Sequence, residues 1–388
     1  VFNIIILGLT SFFTDVSTEM VYPLLPLFLT TTLGATPAII GIIEGFAESL
    51  ASLLKVFSGY FSDITRKRKP LSLAGYSFST LGKVVLYFAI SWPWVFFARA
   101  VDRFGKGVRT APRDALIADA APEGKRGHAF GIHRTLDTLG AVVGVGLAYY
   151  FVTRYQGNYW PVFLYSLISA VLGVIVLALV RERSEGAPLK TKRITLQWSA
   201  LSTRLKGFLV VAFIFTLGNS SNQFLLLRAK GLGFDAKSVI LLYLVYNIVY
   251  SLVSYPAGYL SDRFGRRTFL VFGYLVYSIV YWLFARVQSP VLIWYLFGLY
   301  GVYTGMTEGI EKAFVADVAP THLRATMIGL HATLVGIGLF PASFIAGLLW
   351  TRLGPEAPFY FGSVMGLLAA FGIGFVLQLK DEEKKPSG

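Results

Sequence analysis

Seven ionisable side chains crowd into the stretch RAVDRFGKGVRTAPRD (99–114): Arg99, Asp102, Arg103, Lys106, Arg109, Arg113 and Asp114. On an α-helix at about 100° per residue, all seven fall within an arc of about 140°. A one-sided stripe of this kind suits contact with an anionic group, for which Arg103 and Lys106 are best placed, or ion pairing with neighbouring helices. Arg113 and Asp114 lie toward its far end and suit a gate or a packing contact. Gly105, Gly107 and Pro112 can bend the helix that carries it. A second constellation is Asp15 and Glu19, one helical turn apart, with Thr18 beside them. Carboxyl groups in an apolar setting without a full partner can take up and release protons. Glu44 and Glu48, with Lys55 on the same face, and Asp137, beside His133 and Arg134, extend the proton-handling candidates. Downstream, NSSNQ (219–223) sets Asn219 and Gln223 where Asp15 and Glu19 fall in the first half, so the second half can hydrogen-bond where the first can titrate. Glu308 and Glu311, followed by Lys312, are candidates for contact with substrate or a cation. These positive and negative groups balance, so part of the charge is expected to be structural pairing.

The elements that must carry these groups are apolar. The chain of 388 residues is 55% hydrophobic, 15% aromatic and 14% charged, against about 25% charged in soluble proteins. Runs such as VFLYSLISAVLGVIVLALV (162–180) recur along the chain, each near the about 20 residues that cross a bilayer as a helix. Twelve membrane helices are predicted, at 3–30, 37–61, 71–91, 94–118, 127–152, 159–180, 207–227, 237–260, 268–286, 290–315, 323–349 and 357–379. The charged stripe then lies on span 4, and Asp15 falls near the middle of span 1. The polar stretch 181–206 divides the chain into 1–180 and 207–388, an N-terminal and a C-terminal six-helix bundle joined by a cytoplasmic linker. Basic loops, RKRK (66–69), GKRG (124–127) and RFGRR (263–267), alternate with poorly charged ones such as TTTLGATP (30–37). Basic loops stay on the cytoplasmic side, which places both termini there.

Several function classes recede. Cysteine is absent, so neither a disulfide framework nor a thiolate metal site is expected. The net charge of +14 sits in short loops between apolar segments, which argues against nucleic acid as partner. No Walker-type phosphate loop and no His-Glu-x-x-His pattern occurs, so an enzyme, a cofactor and a bound metal are not expected. The opening VFNIIILGLT lacks the charged region and cleavage site of a secretory leader, and none is expected.

The two halves repeat. ADAAPEGKRGHAFGIHRTLDTLG (118–140) aligns without a gap to ADVAPTHLRATMIGLHATLVGIG (316–338), so that Asp119, Arg126, His133 and Gly140 recur as Asp317, Arg324, His331 and Gly338. GYFSD (59–63) recurs as GYLSD (258–262). Repeats of six spans are a signature of secondary transporters. His133 and His331, being shared, are expected to have a structural role.

GYLSDRFGRR (258–267) resembles the Gly-x-x-x-Asp-Arg-x-Gly-Arg-Arg loop signature of the major facilitator superfamily; the first copy keeps Gly59 and Asp63 but has Ile64 and Arg66 in place of Arg and Gly. The resemblance covers the whole chain and implies an all-α membrane fold, with twelve transmembrane helices in two pseudo-symmetric six-helix bundles. It implies that spans 1, 4, 7 and 10 line a central cavity and that a small solute or ion crosses by alternating access. Gly59, Asp63, Arg66, Gly258, Asp262, Arg263, Gly265 and Arg266 become candidate gating residues: glycine permits close packing, and Asp can pair with Arg or with a helix N-terminus. Gly131, Gly140 and Gly144 are similar in spacing to the glycine motif of the superfamily's proton-coupled antiporters, although Val145 stands where that motif has proline. The expectation is a monomeric multi-pass protein of the plasma or inner membrane, in contact with lipid, that exchanges protons for an exported solute. Uptake of an anionic solute and export of a divalent metal ion are alternatives within transport; a receptor or a lipid scramblase is the alternative outside it.

Overall fold

The computed structural model describes residues 2–65, 67–121, 126–181, 201–319, 324–376 and 378, without the side chains of residues 63, 126–128 and 324–326. Among the described residues all regular structure is helical, and twelve long helices follow one another. They are α1 (Phe2–Thr32), α2 (Pro37–Thr65), α3 (Arg68–Tyr87), α4 (Trp92–Ala120), α5 (Arg126–Arg154), α6 (Trp160–Ala178), α7 (Thr203–Gly231), α8 (Ala236–Phe264), α9 (Arg266–Arg286), α10 (Pro290–Val318), α11 (Arg324–Leu353) and α12 (Ala357–Val376). Each coincides with one predicted span. Eight are long and apolar enough to cross a membrane by length and composition; the other four, α2, α3, α4 and α10, carry much of the charge.

Local chemistry sets the helix ends. Proline occupies the first turn of α4, α6 and α10, where its missing N–H is not needed. Ser202 caps α7 by accepting the Leu205 N–H at 3.2 Å, and Asp235 caps α8 by accepting the Ser238 N–H at 2.9 Å. Those hydrogen bonds from Ser238 hold the Asp235 carboxyl below the usual carboxylate range. Gly265, between α8 and α9, has φ +92°, a region that favours glycine. Two helices are interrupted. In α1 the ordinary helix ends at Val21 and continues through a 3₁₀ turn, Tyr22–Leu24, to a π turn, Phe28–Thr32; Pro23 and Pro26 remove donors there. In α7 the helix stops at Gly218 and resumes at Gln223.

The repeat is built into the helix boundaries. α3, α4 and α5 begin at Arg68, Trp92 and Arg126, and α9, α10 and α11 begin at Arg266, Pro290 and Arg324, each 198 residues later. The chain forms two compact units. The first takes its described residues from Val1–Lys192 and Asn222–Leu244; the second takes them from Arg193–Ser221 and Val245–Gly388. The second part of α7 and the start of α8 therefore belong to the first unit.

Close helix packing in the first unit rests on small residues. A Cβ at Gly82 of α3 would lie 2.7 Å from the Ala98 carbonyl and the Asp102 nitrogen of α4. Ile4, Leu7, Tyr76, Leu116, Ile117 and Leu177 form its apolar core across α1, α3, α4 and α6. The second unit is centred on buried aromatic rings: Tyr274, Tyr277, Tyr281, Phe284 and Phe297 are each at most 2% exposed, and Tyr277 and Tyr281 pack with centroids 4.1 Å apart. The interiors differ at repeat-related positions. Lys83 and Asp102 of the first unit correspond, 198 residues on, to Tyr281 and Tyr300 of the second.

Candidate functional site

The first unit holds a polar, partly open cavity of about 140 Å³, lined by Asp15, Thr18, Glu19 and Tyr22 of α1, Glu48 of α2, Asp102, Arg103, Lys106 and Arg109 of α4, and Tyr243 of α8. The position of α4 follows from the glycines on either side of Lys106. Gly105 abuts Gly75 and Ser79 of α3, and a Cβ at Gly107 would lie 2.5 Å from Leu54 Cβ of α2. With both flanks pressed against neighbours, the face carrying Arg103, Lys106 and Arg109 is turned to the cavity.

Ion pairs neutralise one end of the stripe. Arg99 donates to both oxygens of Glu44, from Nε at 2.8 Å and from Nη2 at 2.7 Å; their side chains are 5% and 0% exposed. Arg103 meets Glu48 at 3.2 Å. Asp102 lies between the two arginines, 3.5 Å from Arg99 and 3.7 Å from Arg103, and also feels the buried Lys83 ammonium of α3. A planar guanidinium matched to a carboxylate is among the few arrangements that make buried charge tolerable.

The α1 wall is organised differently. The Asp15 carboxyl neighbours that of Asp137 on α5. Arg134 holds the other side of Asp137 at 3.2 Å. Gly140 and Gly144 bring α5 this close: the first meets the Phe12 backbone, and a Cβ at the second would lie 2.6 Å from the Val16 carbonyl. Gly131 faces open space. Glu19 accepts the Tyr243 hydroxyl at 2.8 Å, and the Tyr243 ring packs 5.3 Å from Tyr22. Gln223 donates to the Tyr22 carbonyl at 3.2 Å, at the break in α1.

Lys106 and Arg109 are left. Among the described residues neither forms an ion pair. Lys106 is half-buried against the cavity. Arg109, 6% exposed, lies over the Tyr76 ring at 4.3 Å, and its Nε is buried without a hydrogen-bond partner. One turn farther, Arg113 pairs with Asp114 at 2.8 Å and donates to Ser11 at 3.3 Å. Ser11 also bonds His133 at 2.7 Å.

Other candidates sit in the second unit. Asn219 donates to the Tyr303 hydroxyl at 3.0 Å. Glu308 accepts from Tyr250 at 2.7 Å and from Lys312 at 3.3 Å. Glu311 accepts from Tyr274 at 2.9 Å and lies 3.5 Å from His331. Arg113 and Asp114 correspond by repeat to Glu311 and Lys312, so the charges invert around the shared histidine and tyrosine. Among the described residues no group of three or more His, Asp or Glu could hold a metal ion.

At the loops, Arg266 pairs with Asp262 at 3.0 Å and with Asp317. The repeat-related Arg68 pairs with Asp119. Gly59 faces Ala111 of α4, with 3.3 Å available to a Cβ, while Gly258 meets open space. The Arg263 guanidinium lies 5.7 Å from the Phe264 ring. Arg66 and the side chain of Asp63 fall outside the described residues. Sequence reasoning passed over Tyr22, Tyr76 and Tyr243, since single tyrosines in aromatic-rich text carry no periodic signal. Lys83 did leave a signal, since a lone lysine in an apolar run marks a buried partner.

The model of the Major Facilitator Superfamily matches residues 7–227 and 207–388. An uncharacterised MFS-type transporter of Methanocaldococcus jannaschii is 38% identical over 381 residues, covering 96% of this chain and 94% of the relative. A homologue of the multidrug resistance efflux pump PmrA from Lactococcus lactis is 26% identical over 336 residues, covering 82% and 80%. In structure, the nucleoside transporter NupG superposes with a TM-score of 0.79 at 13% identity, covering 97% of this chain and 100% of the other; at that identity the likeness speaks to fold alone. The repeated six-helix pattern, the loop signature and these matches agree: the chain belongs to the major facilitator superfamily of membrane transporters.

Proposed function

We propose that this protein is a secondary active transporter that moves a small solute by alternating access, in exchange for protons and in the direction of export. The observation that carries the proton assignment is the contact between the Asp15 and Asp137 carboxyls beside the cavity. A proton held between two carboxyl groups can be surrendered when a solute or a conformational change alters their surroundings. Gly140 and Gly144, which press α5 against Phe12 and Val16 of α1, support the antiport reading, as does the similarity to an efflux-pump homologue. Arg68 with Asp119 and Arg266 with Asp317 are the proposed loop latches. The repeats 1–180 and 207–388, joined by 181–206, are the proposed bundles of the cycle. The protein is read as a monomer in the cell membrane, in contact with lipid and with both termini cytoplasmic. Uptake of an anionic solute is a second reading, favoured by Lys106 and Arg109, which form no ion pair among the described residues.

The test is flux in proteoliposomes under an imposed pH gradient, following proton movement with an internal dye during a screen of candidate solutes. Asp15→Asn and Asp137→Asn should each abolish solute-dependent proton movement while the folded protein is retained. Wild-type proton movement in both variants would overturn the assignment.

A further inference from the structure

The cavity's carboxylates all have neighbouring partners, and among the described residues two of its three cations form no ion pair. Glu48 and Asp102 hold Arg103, Asp15 holds Asp137, and Glu19 holds the Tyr243 hydroxyl. Arg103 is thereby ion-paired twice, although its Nε, like that of Arg109, has no hydrogen-bond partner among the described residues. Lys106 and Arg109, one helical turn apart on the same face of α4, line the cavity without an ion pair among the described residues. Glu19 and Glu48 reach Lys106 only through the longer-range field. Arg109 is held in place by the Tyr76 ring at 4.3 Å, which leaves a buried Nε without an acceptor. Thr18 adds a hydroxyl on the facing wall. A guanidinium and an ammonium that line one cavity without an ion pair between them and a carboxylate are complementary to an oxyanion.

We infer that Lys106 and Arg109 form an anion-binding subsite, and that the cargo of this transporter carries a carboxylate or phosphate group that docks there. A volume of about 140 Å³ accommodates such a head group, since about 10–15 Å³ on this measure holds one water. Arg109 supplies a planar fork and Lys106 a mobile point charge, a pairing that accepts either oxyanion. The inference rests on reading this cavity as the cargo site, but not on the direction of transport or on the proton pair.

The test is isothermal titration of the detergent-purified full chain with sodium acetate and, separately, sodium phosphate, each against sodium chloride of equal ionic strength. No pH gradient is involved, so the outcome is independent of proton coupling. Saturable binding of acetate assigns a carboxylate cargo, and saturable binding of phosphate assigns a phosphate one. Lys106→Gln should weaken that binding by about tenfold or more, the loss of one charge-assisted contact. Lys106→Arg should restore most of it, and Arg286→Gln, at the end of α9 in the second unit, should leave it unchanged. Lys106 has no ion pair to orphan, so its removal spares the fold; the thermal transition of each variant verifies this. The inference is overturned if neither anion binds above the chloride control, or if Lys106→Gln binds as the wild type does.

Discussion

Glu44→Gln tests whether the buried charges stabilise the first unit. Glu44 is fully buried and takes both of its hydrogen bonds from Arg99, at 2.8 and 2.7 Å. The amide keeps the size of the carboxylate but removes its charge, and one of its two heavy atoms becomes a donor facing a guanidinium. Each hydrogen bond between charged groups is worth about 1.5–3 kcal/mol, and breaking a buried pair from one side costs about 3–5 kcal/mol because the other charge is orphaned. Asp102, 3.5 Å from Arg99, offsets part of this, which places the expected loss near the lower bound of about 3 kcal/mol. The assay is a thermal unfolding series in detergent, at one protein concentration and scan rate, on Glu44→Gln, Arg99→Met and the double variant. Each single variant should fall by several degrees. The double should fall by clearly less than the sum, with a coupling of about 1–3 kcal/mol, because removing both partners leaves no orphan. A single-variant loss below about 0.5 kcal/mol, or strict additivity, would refute the claim, since these are the outcomes of a solvated surface pair.

Two further outcomes follow from the packing and the caps. Gly82→Ala places a Cβ 2.7 Å from backbone atoms of α4, so α4 must shift; a loss of about 1–3 kcal/mol is expected in thermal unfolding, and an unchanged transition would show that the two helices are not in register as described. Asp235→Ala removes the cap of α8 and should cost about 1 kcal/mol at neutral pH. The folded Asp235 carboxyl lies below its ordinary range because of its hydrogen bonds from Ser238. Its contribution is therefore fully present above the unfolded value and is lost as pH falls through the folded one. Wild type and variant should converge on acidification below the ordinary carboxylate range, and a difference that persisted there would contradict the capping role.

The helices were legible because a membrane span must be apolar over about 20 residues and must satisfy its own backbone. That requirement leaves a mark in eight of the helices; in α4 the charges keep to one arc instead. The two-fold repeat was equally legible: Asp119, His133 and Gly140 recur at one offset, and the structure starts α3, α4 and α5 at that same offset from α9, α10 and α11. Even the balance of buried positive and negative groups could be counted without coordinates. Which charge meets which could not. Asp15 and Asp137 are 122 residues apart, and Arg99 and Glu44 are 55 apart; helical periodicity orders residues around one axis and is silent about the neighbour across the gap. Periodicity ranked Arg103 with Lys106 as the anion contacts, but packing gives Arg103 to Glu48 and Asp102 and leaves Lys106 with Arg109. That division is made by Gly105 and Gly107, which set the distance and rotation of α4 against α3 and α2, and so by tertiary contact rather than by any property of the stripe itself.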